Sequence, residues 1–192
     1  VTYRDGTPIP QITDDTEWGA LTTGAWCYYN NDPTKHRLYN WYAVAGIHDN
    51  DESTPNKEFA PEGWHVPTDA EWTTLEEHLI ANGYNYDRTT TGNKIAKAIA
   101  SITGWNTSTG PGEVGNNQSQ NNSSGFNAYP EGARINNGAF SSIGNLCGFW
   151  SSSSNAADND KKLWSLDVSS SYSNISTIDD PLVGFSVRFV RD

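Results

Sequence analysis

The sequence predicts an α+β fold, and two segments provide most of the evidence. In the first, residues 67–72 read Pro-Thr-Asp-Ala-Glu-Trp. Thr68 and Glu71 have the spacing of a capping box, in which each side chain accepts a hydrogen bond from the other residue's backbone N–H. In the second, residues 184–192, apolar and polar residues alternate, which is typical of a strand with one buried face. The chain therefore contains at least one well-defined helix and ends on a strand. We expect the helix and this strand to share one buried core, formed by Trp41, Trp64, Trp72, Phe185 and Val187.

Short strands joined by polar loops are predicted for the first 60 residues. Residues 26–29 are predicted to form an aromatic strand, and the turn-forming residues 30–33 end it. Residues 38–44 are either a second aromatic strand or a short helix. The capped helix is expected to run from Asp69 to Ala81, followed by Asn82-Gly83 as its end.

The second half of the chain is expected to be mostly irregular. A second helix is predicted around residues 93–102, with Ile95, Ile99 and Ile102 as its apolar stripe. Residues 103–124 are rich in Asn, Ser and Gly and have no periodic pattern, which is unusual inside a compact domain. Residues 163–168 alternate like a strand.

Composition indicates one folded domain, expected to span residues 1–192. The 8 Trp, 9 Tyr and 6 Phe provide a large apolar area that a disordered chain would lack. A net charge of −11 argues against nucleic acid or an anionic membrane as a partner. No apolar run approaches the roughly 20 residues of a membrane span, so no membrane insertion is expected. No signal peptide is recognisable, and because the chain starts at Val1 we expect a mature or excised fragment.

Residues suited to catalysis or metal binding form no recognisable motif. The four His residues are scattered, the Ser-rich runs lack a Gly-x-Ser-x-Gly elbow, and Cys and His do not have metal-ligand spacing. Oxygen ligands of the kind that calcium prefers are abundant, but no Asp-x-Asp-x-Asp-Gly loop is present. We expect a solvated acidic surface and no cofactor, with calcium the one ion that these residue types suit: Asp49, Asp51, Glu52, Asp158 and Asp160.

Four motifs in order resemble a known family. They are Leu-Tyr-Asn-Trp-Tyr-Ala-Val at 38–44, Gly-Trp-His-Val-Pro-Thr-Asp-Ala-Glu-Trp at 63–72, Phe-Trp-Ser-Ser at 149–152 and Gly-Phe-Ser-Val-Arg at 184–188. Together they resemble the Fibrobacter succinogenes major paralogous domain, over roughly residues 6–192. More distantly, the helix motif and the last strand are similar to the formylglycine-generating-enzyme branch of the C-type-lectin-like fold.

The resemblance implies a C-type-lectin-like domain, with two helices packed on short antiparallel strands and a long-loop half. Its members occur in secreted and surface proteins of Bacteroidetes-type bacteria and their phages, which implies an extracellular location. Many relatives carry Cys at the positions of Ala60 and Phe189, and both are absent here. Cys27 and Cys147 are therefore expected to be buried free thiols rather than a disulfide. Enzymes of the formylglycine-generating type need reactive cysteines in the C-terminal half, so an enzyme of that type is not expected.

A candidate ligand-binding surface lies between the last two motifs. Residues 151–181 mix adaptable polar groups with aromatic residues, as binding loops do, and a rigid frame flanks them. Two interpretations of Trp164 remain open at this point: it stacks on a ligand, or it packs in the core with Leu166 and Val168. The candidate ligand-binding residues are Asn155, Asp158, Asp160, Lys161, Lys162, Trp164, Ser171, Tyr172, Asn174 and Ser176. Apart from Trp164, we expect their side chains to be mostly exposed and to lie on one contiguous face.

The function expected from the sequence is a non-catalytic extracellular module for ligand binding or adhesion. It would be displayed on a bacterial surface or at the tip of a phage tail fibre, with a cell-surface glycan or protein as its partner. Some relatives are targets of diversity-generating retroelements, which rewrite such a C-terminal segment. The alternatives are an enzyme of the formylglycine-generating type and a purely structural domain of a surface assembly.

Overall fold

A computed structural model describes residues 1–155 and 160–192, without the side chains of Asn155 and Asp160. The helices are α1 (Asp15–Gly19), α2 (Trp41–Val44), α3 (Asp69–Ala81) and α4 (Ala96–Ile99), and single 3-10 turns cover Tyr29–Asn31 and Gln118–Gln120. The strands are β1 (Trp26–Tyr28), β2 (Arg37–Tyr39), β3 (Trp64–His65), β4 (Ala133–Arg134), β5 (Phe140–Ser141), β6 (Leu146–Asn155), β7 (Asp160–Asp167), β8 (Asn174–Ile178) and β9 (Val190–Arg191). The strands pair as small antiparallel sheets, β1-β2, β3-β9, β4-β5 and β6-β7-β8. The α+β class expected from the sequence is confirmed.

The three-stranded sheet β6-β7-β8 is covered on both faces. Trp164 lies opposite Phe149 on β6 and opposite Ile175 on β8, so these three side chains project to one side. The next residue, Leu163, lies opposite Trp150 and projects to the other side. Both sets are apolar, and a separate hydrophobic core covers each face.

The first core, which we call the Trp72 core, joins α3 to this sheet. The ring of Trp72 stacks on that of Trp164, with 4.8 Å between the centroids and 9° between the planes. The indole N–H of Trp164 donates to Glu76 Oε1 at 2.8 Å, whereas that of Trp72 has no partner among the described residues. Trp72 therefore acts through packing alone. The other fully or nearly fully buried members are Leu79, Ile95, Ala96, Ile99, Ala100, Trp105, Val114, Ala128, Cys147, Phe149 and Leu166.

The second core, the Trp41 core, fills the opposite face of the sheet. Trp41 meets Trp150 edge to face at 5.4 Å, and Phe185 packs on Trp150 at 5.2 Å. Gly148 is required beside them, since a Cβ there would lie 2.6 Å from the ring of Phe185. The sheet therefore separates two cores that the sequence had placed together.

One shared core for Trp64, Trp72, Trp41, Phe185 and Val187 is thus a wrong prediction. Trp72 lies across the sheet from Trp41 and Phe185. Trp64 is 42% exposed, because the two-residue strand β3 runs along the surface and pairs only with β9.

The start of α3 has the predicted cap, and His65 extends it. Thr68 accepts from the backbone N–H of Glu71, and the Glu71 carboxylate accepts from the backbone N–H of Thr68 at 2.8 Å. The other oxygen of Glu71 lies 2.7 Å from Nε2 of His65, whose Nδ1 lies 2.6 Å from Asp192 Oδ1. Both ring nitrogens donate only when the imidazole is protonated. These two hydrogen bonds, to Asp192 and then to Glu71, raise the pKa of His65 above its ordinary value of about 6.5.

The second helix is shorter than the sequence predicts. Only Ala96–Ile99 is helical, because Ala100 turns to extended backbone and Ser101 N–H bonds to Ala128 O at 2.8 Å. Ile95 and Ile99 are buried as expected, but Ile102 is 52% exposed. Beyond it, the long loop is organised by a buried lysine, whose ammonium donates to backbone carbonyls of three loop residues: Lys97 bonds to Glu113, Asn116 and Asn117.

The closing segment, residues 184–191, is not one continuous strand. It makes single bridges to three different places, from Gly184 to Arg134, from Phe185 to Tyr39 and from Ser186 to Phe149, before β9 pairs with β3. It therefore connects all four sheets of the described chain.

Arg134 ties the N-terminal segment to the rest of the fold. Its guanidinium is fully buried and donates to the backbone oxygens of Ile12 at 2.6 Å and Gly138 at 2.8 Å. It also pairs with Asp15 Oδ1 at 2.9 Å and lies 4.4 Å from the ring of Trp18. These contacts provide acceptors for the N–H groups of the guanidinium, which would be unfavourable if they were buried without partners.

No helix in the described parts of the chain is long and apolar enough to cross a membrane.

Replacement of Trp72 by Ala should lower the free energy of unfolding by roughly 3–5 kcal/mol, because it leaves a cavity against Trp164. Trp64→Ala, the matched control at an exposed Trp, should cost no more than about 1 kcal/mol. Urea titrations of both variants measure the difference. Equal losses of unfolding free energy in the two variants would contradict the central place of Trp72 in the Trp72 core.

The stabilising effect of His65 should depend on pH. Because its folded-state pKa is raised, its contribution is fully present below the unfolded pKa and is lost as the pH rises through the folded value. The difference in melting temperature between the wild type and His65→Gln should therefore be larger at pH 5.5 than at pH 9. A difference that is constant, or that grows with pH, would show that the two carboxylates do not hold the protonated ring.

Candidate ligand-binding site

The structure buries two of the residues predicted to bind a ligand. Trp164 has no exposed surface, so the interpretation that it packs in the core is the correct one. Lys161 is only 3% exposed and its ammonium donates to Asp179 O at 3.0 Å, so the expectation that Lys161 is exposed is wrong. The physical reason is the same for both, since hydrophobic cores cover β7 on both faces.

The other predicted residues do not form one contiguous face. Lys162 lies opposite Thr177, whereas Ser176 lies opposite Leu163 on the other side of the sheet, and Asn174 projects to the same side as Ser176. Ser171 and Tyr172 occupy the connection between β7 and β8, where Tyr172 is 50% exposed. Asp158 lies outside the described residues, and so do the side chains of Asn155 and Asp160. The prediction of a single binding face is wrong for the described members.

A cleft of about 480 Å³ lies elsewhere, where the β1-β2 hairpin, residues 127–131 and the closing segment meet. Its volume is within the usual range of small-molecule sites. We call it the Arg37 cleft, and it is lined by Tyr28, Pro33, Lys35, His36, Arg37, Tyr39, Asn127, Tyr129, Glu131, Phe149, Ser186, Val187, Arg188 and Phe189.

Backbone pairing brings two of these walls together. Tyr28 and Arg37 are cross-strand partners in the β1-β2 hairpin, so their side chains lie on one side of it. Tyr39, two residues further, exchanges backbone hydrogen bonds with Phe185 at 2.8 and 3.0 Å. The closing segment therefore runs beside the hairpin and carries Arg188 into the lining.

Two arginines of the cleft rest on aromatic rings. The guanidinium of Arg37 lies 5.2 Å from the ring of Trp26 and 5.9 Å from that of Tyr28. The guanidinium of Arg188 lies 4.4 Å from the ring of Phe126 and donates to Phe126 O at 3.0 Å. Burial lowers the pKa of Arg188. Neither guanidinium has an ion pair with a carboxylate of the described residues, so each retains donors for an anion.

One buried carboxylate lines the same cleft. Glu131 is 6% exposed, and its Oε1 lies 2.7 Å from Nδ1 of His36. Its Oε2 is buried and has no hydrogen-bond partner in the described chain. A buried acceptor without a donor is unfavourable, so a ligand that donates a hydrogen bond to this oxygen would be stabilised there.

A second cleft, about 750 Å³, lies between the end of α3 and the long loop. We call it the Lys97 cleft. Its two buried polar side chains are already used, since Lys97 donates to three loop carbonyls and the Asn85 amide donates to the carbonyls of Thr89 and Gly92 at 2.9 Å. The Arg37 cleft is therefore the better candidate despite its smaller volume.

The acidic residues considered for calcium have local roles where the structure describes them. Asp49 Oδ1 accepts from the N–H of Asp51 at 3.0 Å, and Asp51 Oδ1 accepts from the N–H and hydroxyl of Ser53. Across residues 1–155 and 160–192, no group of three or more His, Cys, Asp or Glu residues has an arrangement that would hold a metal ion.

Both cysteines are buried free thiols, as expected. Burial raises the pKa of Cys27 to about 11 and raises that of Cys147 further above the ordinary value. The thiolate is the reactive form of cysteine, so neither residue is activated as a nucleophile.

Sequence reasoning missed the Arg37 cleft although one signal was present. Lys35-His36-Arg37 is a run of three basic residues in a chain whose net charge is −11. The run follows an aromatic strand and a turn, but nothing local indicates that Glu131 and Arg188 fold against it.

Comparison with protein families gives one match. The model described as the Fibrobacter succinogenes major domain matches residues 1–191. No curated protein and no solved structure is significantly similar to the chain.

Thiol labelling should separate buried from reactive cysteines. We expect a thiol reagent at pH 8 to leave Cys27 and Cys147 unmodified in the native protein and to label both in 6 M guanidinium chloride, because burial blocks access and raises both pKa values. The readout is the mass of the intact protein after a timed exposure. Rapid labelling of either thiol in the native state would contradict this assignment and would favour cysteine-based chemistry.

Proposed function

The chain belongs to the Fibrobacter succinogenes major domain family, and from this premise we propose that it is a non-catalytic module for ligand binding or adhesion. It acts outside the cell, on a bacterial surface or at the tip of a phage tail fibre. The single observation that carries the proposal is the Arg37 cleft. There, two guanidinium groups that have no carboxylate partner among the described residues share a concave site with aromatic rings.

We further propose that the fold is a variant of the C-type-lectin-like fold. Support comes from the packing of α3 on a three-stranded antiparallel sheet and from the long, mostly irregular stretch between α4 and β6. The closing segment, which returns to pair beside β1-β2 and β3, is in keeping with that arrangement.

Binding is favoured over catalysis by the chemistry of the lining. The cleft offers donors, one acceptor and flat apolar surfaces, which hold and orient a ligand. The formylglycine-generating alternative needs a reactive cysteine in the C-terminal half, and Cys147 is buried between α3 and the sheet in the Trp72 core. Burial raises the pKa of this thiol, which keeps it in the unreactive protonated form.

A cell-surface glycan fits the cleft better than a protein partner does. A stable protein interface covers about 800 Å² on each side, whereas this site is a small concave pocket. The exposed Tyr172 and Asn174 lie in or next to the β7-β8 connection, within the segment that a retroelement would diversify. Diversification there would add a second contact surface without changing the buried sheet.

A binding screen tests the proposal. The purified protein should bind a subset of an array of neutral and acidic glycans and surface proteins, probed with and without calcium. Arg37→Gln should weaken the signal by about tenfold or more, because a charge-assisted hydrogen bond is lost. Tyr172→Ala is the control at the surface that the sequence alone predicted, and it should leave glycan binding unchanged.

Both variants change exposed side chains, so their stability should stay within about 0.5 kcal/mol of the wild type. Loss of binding in Tyr172→Ala but not in Arg37→Gln would move the site to the β7-β8 connection. A wild-type protein that binds nothing on the array in either condition would overturn the proposal in favour of a purely structural domain.

A further inference from the structure

We propose that the Arg37 cleft is specific for a saccharide that carries a carboxylate, such as a hexuronic or nonulosonic acid. This inference rests on the proposed binding function and names the chemistry of its ligand. Three features of the lining each demand one property of the ligand: a negative charge, a hydroxyl donor and an apolar ring face.

The charge of the cleft is opposite to that of the protein. The chain has 12 Lys and Arg residues against 23 Asp and Glu residues. Nevertheless, Lys35, Arg37 and Arg188 all line this one site, and Glu131 is the only acidic residue among the described ones that does. A ligand that reaches the site against a net charge of −11 must interact favourably with these cations at short range. The planar fork of a guanidinium matches a carboxylate with two parallel hydrogen bonds.

The carboxylate of Glu131 excludes a ligand that consists only of an anionic group. In residues 1–155 and 160–192, its Oε2 is buried without a donor, and its one side-chain partner, His36, has a side chain that is 65% exposed. A simple dianion would place oxygen against oxygen there, whereas a sugar hydroxyl donates to the carboxylate.

The aromatic lining favours a ring over an extended acid. Tyr28, Tyr39, Tyr129 and Phe189 are all partly exposed and all contribute to the walls. The C–H face of a pyranose packs on such rings and loses little entropy, because the ring of the sugar is already rigid. A carboxylated sugar therefore satisfies all three features at once.

Isothermal titration with matched ligands tests the inference. The probes are glucuronate, galacturonate and N-acetylneuraminate, each beside the same sugar with its carboxyl group reduced to an alcohol. At least one acid should bind about 10- to 100-fold more tightly than its reduced counterpart, the ratio expected when a hydrogen bond to a charged group is lost. Added salt should weaken binding of the acid more than that of the alcohol.

Three variants locate the effect. Arg37→Gln should remove most of the preference for the acid, and Arg37→Lys should restore part of it, because Lys keeps the charge but not the fork. Arg88→Gln, the same change in the Lys97 cleft, should have no effect. Glu131→Gln should weaken binding of the sugar acids, with melting temperature as the check that the variant folds.

Each other outcome overturns the inference and is distinguishable. Equal affinity for acids and alcohols, with loss in Arg37→Gln, would leave the binding function intact and refute only the specificity for a carboxylate. Tighter binding to Glu131→Gln would show that the carboxylate repels the ligand and accepts no hydroxyl. Loss in Arg88→Gln would place the ligand in the other cleft. No binding of any acid or alcohol, together with an empty array, would refute the proposed function as well.

Discussion

The stack of Trp72 on Trp164 is the contact on which the rest of the structure depends. It fastens α3, the only helix longer than five residues in the described chain, to the central strand of the three-stranded sheet. With a large ring buried on one face and Trp150 on the other, β7 has no polar face, and every charged residue on it must find a partner or leave the sheet. Lys161 does the first, by donating to Asp179 O. The sheet therefore serves as a structural frame, and the ligand binding that we propose takes place elsewhere.

The closing segment forms one wall of the Arg37 cleft beside this frame. With both faces of the sheet occupied, residues 184–191 can only run along its edge, and they do so through single bridges to β4, β2 and β6. Interrupted pairing leaves room between the walls, which a continuous strand would have filled. Arg134, held by backbone oxygens of the N-terminal segment, fixes β4 and with it the short turn that carries Glu131. The cleft thus consists of side chains on fixed backbone, an arrangement that lowers the entropic cost of binding.

The sequence predicted the elements better than their assembly. The bounds of α3 and its capping box were predictable because the residues that make them lie within a few positions of one another. The mixed α+β class and the two free thiols were also predictable. Ile102 and Trp64 were misplaced because their burial depends on where the chain turns after the element, which long-range packing decides. The candidate site failed for the same reason: alternation along residues 163–168 shows that side chains alternate between faces, but not that both faces are covered.

The most direct test of the account is to observe which side chains respond to the ligand. Nuclear magnetic resonance of the arginine Nε–Hε groups and of the backbone amides can follow a titration with the carboxylated saccharides. We expect the signals of Arg37 and Arg188 and the amides of the closing segment to shift, while those of Arg88 and Tyr172 stay in place. Shifts confined to Tyr172 and its neighbours, or to the Lys97 cleft, would contradict it.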